Sequence, residues 1–354
     1  MGLLKFFRKV DNTPQPAPVT PKPVGVAPPP KPPETEIRPQ FLNDFTGQPI
    51  VSAQLMIAIK AAKMRGESLR HCLFYGPPGT GKTTLAHIIA NEMHSRIHVI
   101  TGPTMTSPKS VLPLVMNIKA NDVLFIDEIH RLKMPIEEAL YPIMEDFKLD
   151  MQERNGGVTY VYNRKLPKFT LVGATTRLGD LSKPLRERFG QICEFQLYSV
   201  DELTKIVNRT ASIFKMEIHP DAAIMIAQRS RGTPRVANKL FFIARDFAQA
   251  AGKESITVEI VKQSLELEGV DENGLTRLDY RYLRALLQNG GMAGVDALAA
   301  NINETAQTIV DVIEPHLLHE GYIARTRSGR KATDRAKELM GIAPEVNKFT
   351  LRMP

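Results

Sequence analysis

From Arg38 to about Tyr198 the chain alternates between short, wholly apolar runs and longer stretches with helical spacing. "CLFY", "VLFID" (Val123 to Asp127) and "FTLVGATT" (Phe169 to Thr176) have no polar face, the pattern of strands covered on both sides in a parallel sheet. "TLAHIIANEM" has the period of a helix. This alternation predicts an α/β domain over residues 38–198. Residues 199–269 read as helices with one polar face, broken at "RGTPR", and predict a small helical domain. Residues 270–354 hold further helical patterns and then "GYIARTRSGRKAT". That is a strand, a basic turn and a second strand, which predicts a hairpin wing. "SKPLRERFG", Ser182 to Gly190, reads as a turn that carries Arg186 and Arg188. No internal repeat is visible.

The first 37 residues follow a different pattern. Residues 11–36 are dense in proline, which favours extended polyproline II and builds no core. They predict a semi-rigid solvated linker. Ahead of it, "MGLLKFFRKV" places Leu3, Phe6, Phe7 and Val10 on one helical face. Residues 1–10 suit a docking peptide for a protein or a membrane surface, or an inert tail.

Bulk properties narrow the function classes. The chain has 354 residues, enough for two or three domains, with 43% hydrophobic and 24% charged residues, ordinary for globular proteins. A net charge of +8 favours an anionic partner, nucleic acid above all. Cys72 and Cys193 sit in apolar runs without disulfide or zinc spacing, which predicts buried free thiols in a reducing cytoplasm. No apolar run is long enough to span a membrane, and the N-terminus lacks a cleavable signal. Phe6 stands where a myristoylation pattern needs Ser or Thr.

The chemistry concentrates at "GPPGTGKT", Gly76 to Thr83. It matches the phosphate-loop spacing, and it lies between an apolar strand and a helix, the context the motif requires. Gly76, Gly79 and Gly81 free the backbone to wrap phosphates with its N–H groups, and the helix start adds positive potential. Lys82 is expected to reach the β- and γ-phosphates of ATP, and Thr83 to ligate Mg²⁺. In "VLFIDEIH", Asp127 at the strand end is expected to hold the Mg²⁺ shell, and Glu128 to polarise an attacking water as general base. Thr176 of "GATTR" is placed to contact the γ-phosphate or that water. Arg235 of "RGTPR" opens a helix from which a second cation could meet the γ-phosphate.

In this order these motifs resemble the RuvB family of AAA+ ATPases, the Holliday-junction branch-migration motors. The resemblance rests on "RHCLFYGPPGTGKTTLAHIIANEM", "DVLFIDEIHRL", "EEALYPIMEDFKLD", "FTLVGATTR", "PLRERFG", "RGTPRVANKL", "GGMAGVDALAANI" and "VIEPHLLHEGYIARTRSGRKAT", and covers roughly Arg38 to Ala343. It implies a large ATPase domain, a small helical lid and a C-terminal winged helix. It implies a homohexamer around duplex DNA, with ATP at subunit boundaries and a RuvA-type junction-binding partner. Arg188 matches the family's arginine finger, which acts in a neighbour's site. Arg235 matches the lid arginine, and Tyr198 a nucleotide-contacting tyrosine between the ATPase subdomains. Thr84 and the run Glu145, Asp146, Phe147 fall in segments that carry further nucleotide contacts. Arg325 and Arg330 match DNA-contacting arginines of the wing. On its own terms the stretch 325–337 holds Arg325, Arg327, Arg330, Lys331, Arg335 and Lys337 against the single acid Asp334, a density suited to phosphate tracking.

The chain departs from the family at several points. The Pro-rich extension is extra. Thr35 and Ala306 stand where the family has a nucleotide-facing and a DNA-facing arginine, and the wing tip reads "RTRSGR" for the usual "RTPRGR". Residues 151–167 have the length of the RuvA-docking hairpin, yet the arm that is usually apolar carries Gln152, Glu153 and Arg154. Docking through such a hairpin relies on exposed apolar area. Two other readings therefore stay open: a helicase loader or replication-fork remodeller, and a DNA-binding switch that ATP only assembles.

Overall fold

The computed structural model describes residues 37–155 and 158–342, apart from the side chains of 151–162. The N-terminal peptide and the whole proline-rich stretch lie outside the described residues.

The first domain is built on a five-stranded parallel sheet. Helix α1 (Pro49–Arg65) leads into β1 (Cys72–Tyr75), followed by α2 (Lys82–Glu92), β2 (Ile97–Thr101), β3 (Val123–Asp127) and α3 (Met134–Glu145). An antiparallel hairpin, β4 (Lys148–Asn155) and β5 (Val158–Lys165), precedes β6 (Thr170–Thr175), α4 (Lys183–Glu187) and β7 (Gln191–Glu194). The strand order is β2-β3-β6-β1-β7, and every pairing in it is parallel. Strand residues alternate between two cores. Leu73, Leu124, Ile126 and Leu171 face Ile136, Leu140 and Ile143 of α3. Cys72, Phe74, Val123, Phe125 and Val172 face α1 and α2. Burial on both faces is the physical reason that these strands are apolar throughout.

The second layer is helical. α5 (Val200–Ile213), α6 (Pro220–Gln228), α7 (Pro234–Ala250) and α8 (Val258–Glu268) pack around Leu203, Val207, Ile226, Phe241 and Val261. Ser199 and Glu202 form a reciprocal capping box that starts α5. Two-residue strands β8 (Glu217–Ile218) and β9 (Ser255–Ile256) pair in parallel between these helices, too short to leave a period in the sequence.

The C-terminal part is a winged helix. α9 (Arg277–Gln288), β10 (Met292–Ala293) and α10 (Val295–Ile302) lead into a helical segment from Ala306 to His319. That segment contains a π-helical turn at Ile309–Ile313 before α11 (Glu314–His319). β11 (Ile323–Thr326) and β12 (Gly329–Ala332) form the expected hairpin, with α12 (Asp334–Leu339) behind them. Tyr282, Leu286, Leu298, Ile313 and Leu317 fill the core. Among the described residues no helix is long and apolar enough to cross a membrane.

The segment read as a turn at Ser182 to Gly190 is instead the short helix α4. The Ser182 hydroxyl accepts from Leu185 N at 3.3 Å and Pro184 occupies the first turn, a start signal that outweighs the flanking turn residues. Arg186 lies within α4, and Arg188 caps its C-terminus.

Candidate nucleotide site and basic wing

The C-terminal edge of the parallel sheet gathers the phosphate chemistry. Gly76, Gly79 and Gly81 all have positive φ, at 144°, 78° and 101°. A Cβ at Gly76 would lie 2.2 Å from the Phe195 carbonyl oxygen, so no other residue fits. Lys82, at the start of α2, is 8% exposed. Its ammonium donates to the carbonyls of Gly76 (2.9 Å) and Pro77 (2.8 Å) across the loop. Burial pushes its pKa down to about 8, the nearby Asp127 carboxylate pulls it up, and Arg235 pushes it down again. Those two influences place Asp127 and Arg235 at the same loop. Thr83 and Thr84 follow on the first turn of α2, both half-buried.

Asp127 ends β3, and its Oδ1 accepts from Glu128 N at 2.9 Å. Glu128 itself has φ 48°, a left-handed backbone that a glutamate adopts at a cost and that clusters at functional sites. The opposing Gly102 permits it, since a Cβ there would lie 2.4 Å from the Glu128 carbonyl oxygen. The exposed Glu128 carboxylate pairs with Arg131 at 3.1 Å. Thr176 is exposed just beyond β6, whereas Thr175 is buried and bonded: its hydroxyl lies 3.0 Å from His130 Nδ1 and accepts from Arg177 N at 2.9 Å.

The helical domain closes over the loop. Arg235, at the start of α7, donates its backbone N–H to the Gly79 carbonyl at 3.4 Å. Tyr198, between the two domains, is 6% exposed, and its hydroxyl donates to the Thr80 carbonyl at 3.0 Å. Its ring fills the space beside Gly47 and Gly81.

Arg188 lies at the other edge of the sheet. Gln191, three residues on, pairs with Cys72 at the start of β1, while the phosphate loop follows the last residue of that strand. Four residues of strand separate the two edges by roughly 13 Å. The Arg188 guanidinium pairs with Glu145 at 3.2 Å and donates to the Pro184 carbonyl at 2.7 Å. Among the described residues its Nε and that of Arg186 are buried without a partner. Asp146 is exposed beside Lys148. Phe147 packs its ring 5.8 Å from those of His71 and Phe169. Of these three residues Glu145 meets Arg188, whereas Asp146 and Phe147 meet Lys148, His71 and Phe169.

Family models match this arrangement part by part. The Holliday junction DNA helicase RuvB P-loop domain matches residues 37–195, the RuvB AAA lid domain 198–271 and the RuvB C-terminal winged helix domain 272–341. This chain belongs to the RuvB family. It is an AAA+ ATPase with a parallel-sheet P-loop domain, a lid and a winged helix. It is 48% identical over 314 residues to the Holliday junction branch migration complex subunit RuvB of Lactobacillus gasseri, covering 88% of this chain and 93% of that one. The corresponding Limosilactobacillus reuteri subunit is 47% identical over 317 residues, covering 89% and 94%. The solved structure of the Thermotoga maritima RuvB Holliday junction branch migration motor aligns with a TM-score of 0.80 at 43% identity, covering 87% of this chain and 99% of that one.

The RuvB-type wing holds a residue that sequence reading missed. Glu314 is fully buried and accepts from Arg325 (Nη2, 2.7 Å), Arg330 (Nε, 2.7 Å) and the Tyr282 hydroxyl (3.3 Å). Burial raises its pKa, but the hydrogen bonds from Arg330 and Arg325 outweigh that and hold it below the usual range. Arg325 is half exposed and Arg330 mostly covered. Arg335 pairs with Glu320, and Lys337 with Asp334. The local excess of cations is therefore smaller than the sequence suggests, because Glu314 and Glu320 enter from the preceding helix. Arg327 and Lys331 remain exposed, with no ion pair among the described residues. The one available signal was that the otherwise apolar run "TIVDVIEPHLL" carries two acids, Asp311 and Glu314.

Proposed function

We propose that this chain is the ATP-driven motor subunit that moves four-way DNA junctions, acting as a homohexamer that pulls duplex DNA through its ring. One observation carries the reading. The phosphate loop and Arg188 sit on opposite edges of one parallel sheet, so an arginine held at that edge serves the site of a neighbouring copy. Domain limits of 38–198, 199–269 and 270–354 suit this division of labour, and a reducing cytoplasm suits the two buried thiols.

The residues present fit ATP and Mg²⁺. The positive-φ glycines form a cradle that a Cβ would fill, and a buried ammonium faces it. Thr83 and Asp127 would supply oxygen donors for Mg²⁺, which would offset phosphate charge. Lys82 holds the β- and γ-phosphates. Glu128 takes the proton of the attacking water, and Thr176 hydrogen-bonds that water or the γ-phosphate. Tyr198 and Arg235 let the lid sense the loop. Arg188 of the neighbouring copy steadies the charge on the transferring group, with Glu145, Asp146 and Phe147 shaping that face. Arg325 and Arg330 set the wing that tracks phosphates without reading bases. The hairpin β4–β5 has the backbone of a partner-docking element, which keeps a RuvA-type protein as the partner.

The test is ATP-dependent dissociation of a synthetic mobile four-way junction, with and without a RuvA-type protein. Dissociation is expected, greater with the partner. DNA-stimulated ATP turnover without dissociation in either case would favour a fork remodeller and overturn the reading.

A further inference from the structure

A continuous chain of contacts leaves the phosphate loop and ends at the wing. Gly76 N–H donates to the Thr175 carbonyl at 3.3 Å. The Thr175 hydroxyl accepts from Arg177 N, which fixes the residue after Thr176. The Arg177 guanidinium then crosses to the winged helix and donates to Asp311 Oδ1 at 2.7 Å. Asp311 lies inside the π-helical turn, with the Gln307 amide on its other oxygen. Glu314, three residues later, holds Arg325 and Arg330.

The crossing is chemically specific. Asp311 strengthens the charged form of Arg177, with Asp180 adding a weaker attraction 3.7 Å away. Arg177 is 32% and Asp311 40% exposed, and an ion pair so placed contributes little to stability. Its value lies in what it joins. This pair joins the end of the strand beside the phosphate loop to the helix that carries the wing acid, and a solvent-facing pair can break and re-form without unfolding either domain.

We infer that the Arg177–Asp311 pair transmits the state of the phosphate loop to the DNA wing, and that Asp311 is a positioning residue for DNA-stimulated ATP turnover. This rests on the motor reading above. Asp311 lies in the winged helix, outside the phosphate loop, and acts through Arg177 on one side and through the turn that leads to Glu314 on the other.

The test compares the full-length wild type, Asp311→Asn and Asp311→Glu for basal ATP turnover, turnover with saturating duplex DNA, duplex affinity and thermal melting. Asp311→Asn is expected to keep basal turnover, affinity and melting near wild type while the ratio of stimulated to basal turnover falls by about five-fold or more, the scale of a modest coupling between sites. Asp311→Glu is expected to restore the ratio. An unchanged ratio in Asp311→Asn overturns the inference. So does a ratio that falls together with melting and basal turnover and is not restored by Glu, since that marks plain scaffolding. Absence of DNA stimulation in the wild type would instead sink the motor reading.

Discussion

The guanidinium of Arg188 sits over the ring of Tyr141, 4.0 Å from its centroid, with Glu145 closing the other side. The side chain is thus held ready at an edge from which its own nucleotide is out of reach. Arg188→Ala should lower ATP turnover by roughly 10³-fold or more, the range for arginine fingers, and leave ATP affinity within a few-fold. Single-turnover hydrolysis and a nucleotide titration check this. Loss of binding as well would refute a role in the neighbour's site.

Lys82 gives a pH dependence with a defined sign. Its pKa near 8 lies below the ordinary 10.5 because of burial. Phosphates require the charged form. Below about pH 8 the ammonium is already charged and ATP binding needs no extra proton; above it, binding must take one up, and affinity falls as pH rises. Calorimetry at pH 9 in buffers of different ionisation enthalpy should reveal proton uptake that is nearly absent at pH 6.5. Equal uptake at both would exclude Lys82 as the group responsible.

The strand–loop–helix from β1 to α2 was legible in the sequence for a physical reason. A phosphate cradle needs Gly76, Gly79, Gly81 and Lys82 at fixed local spacing between a strand and a helix, and local spacing is what a sequence displays. Asp127 and Glu128 were legible because acids at the end of an apolar strand stand out. The partnership of Glu314 with Arg325 and Arg330 was not, since it joins a helix to a hairpin through tertiary packing. The course of α4 was obscured by its proline and arginines, although Ser182 was available as a cap. The Arg177–Asp311 contact joins residues 134 positions apart, and no periodicity announces it.

Glu314→Gln should destabilise the winged helix by up to about 3–5 kcal/mol, because two arginines lose the carboxylate that neutralises them. The sign with pH follows from its depressed pKa. The contribution is complete above the unfolded value of 4.5 and is lost as pH falls through the lower folded value. Melting curves below pH 4.5 should therefore fall in the wild type and stay flatter in the variant. Equal stability at pH 7 would contradict the assignment.

The exposed cations of the wing predict a salt effect. Arg327→Ala and Lys331→Ala should each reduce the slope of log affinity against log salt by about one. Arg325→Ala and Arg330→Ala should weaken binding alike for unrelated duplexes. A loss confined to one sequence would contradict phosphate tracking.

The π-helical turn at Ile309–Ile313 has a geometric consequence. Such a turn accommodates one residue more than an α-helical turn, and one residue of α-helix is about 100° of rotation. The turn therefore sets the angular phase between Asp311, which faces the ATPase domain, and Glu314, which faces the wing. Deleting one residue inside the turn would return it to an ordinary α-helical turn and keep that phase, whereas deleting one from the α-helical residues that follow would swing the wing by about 100° about the helix axis, away from the partners it meets.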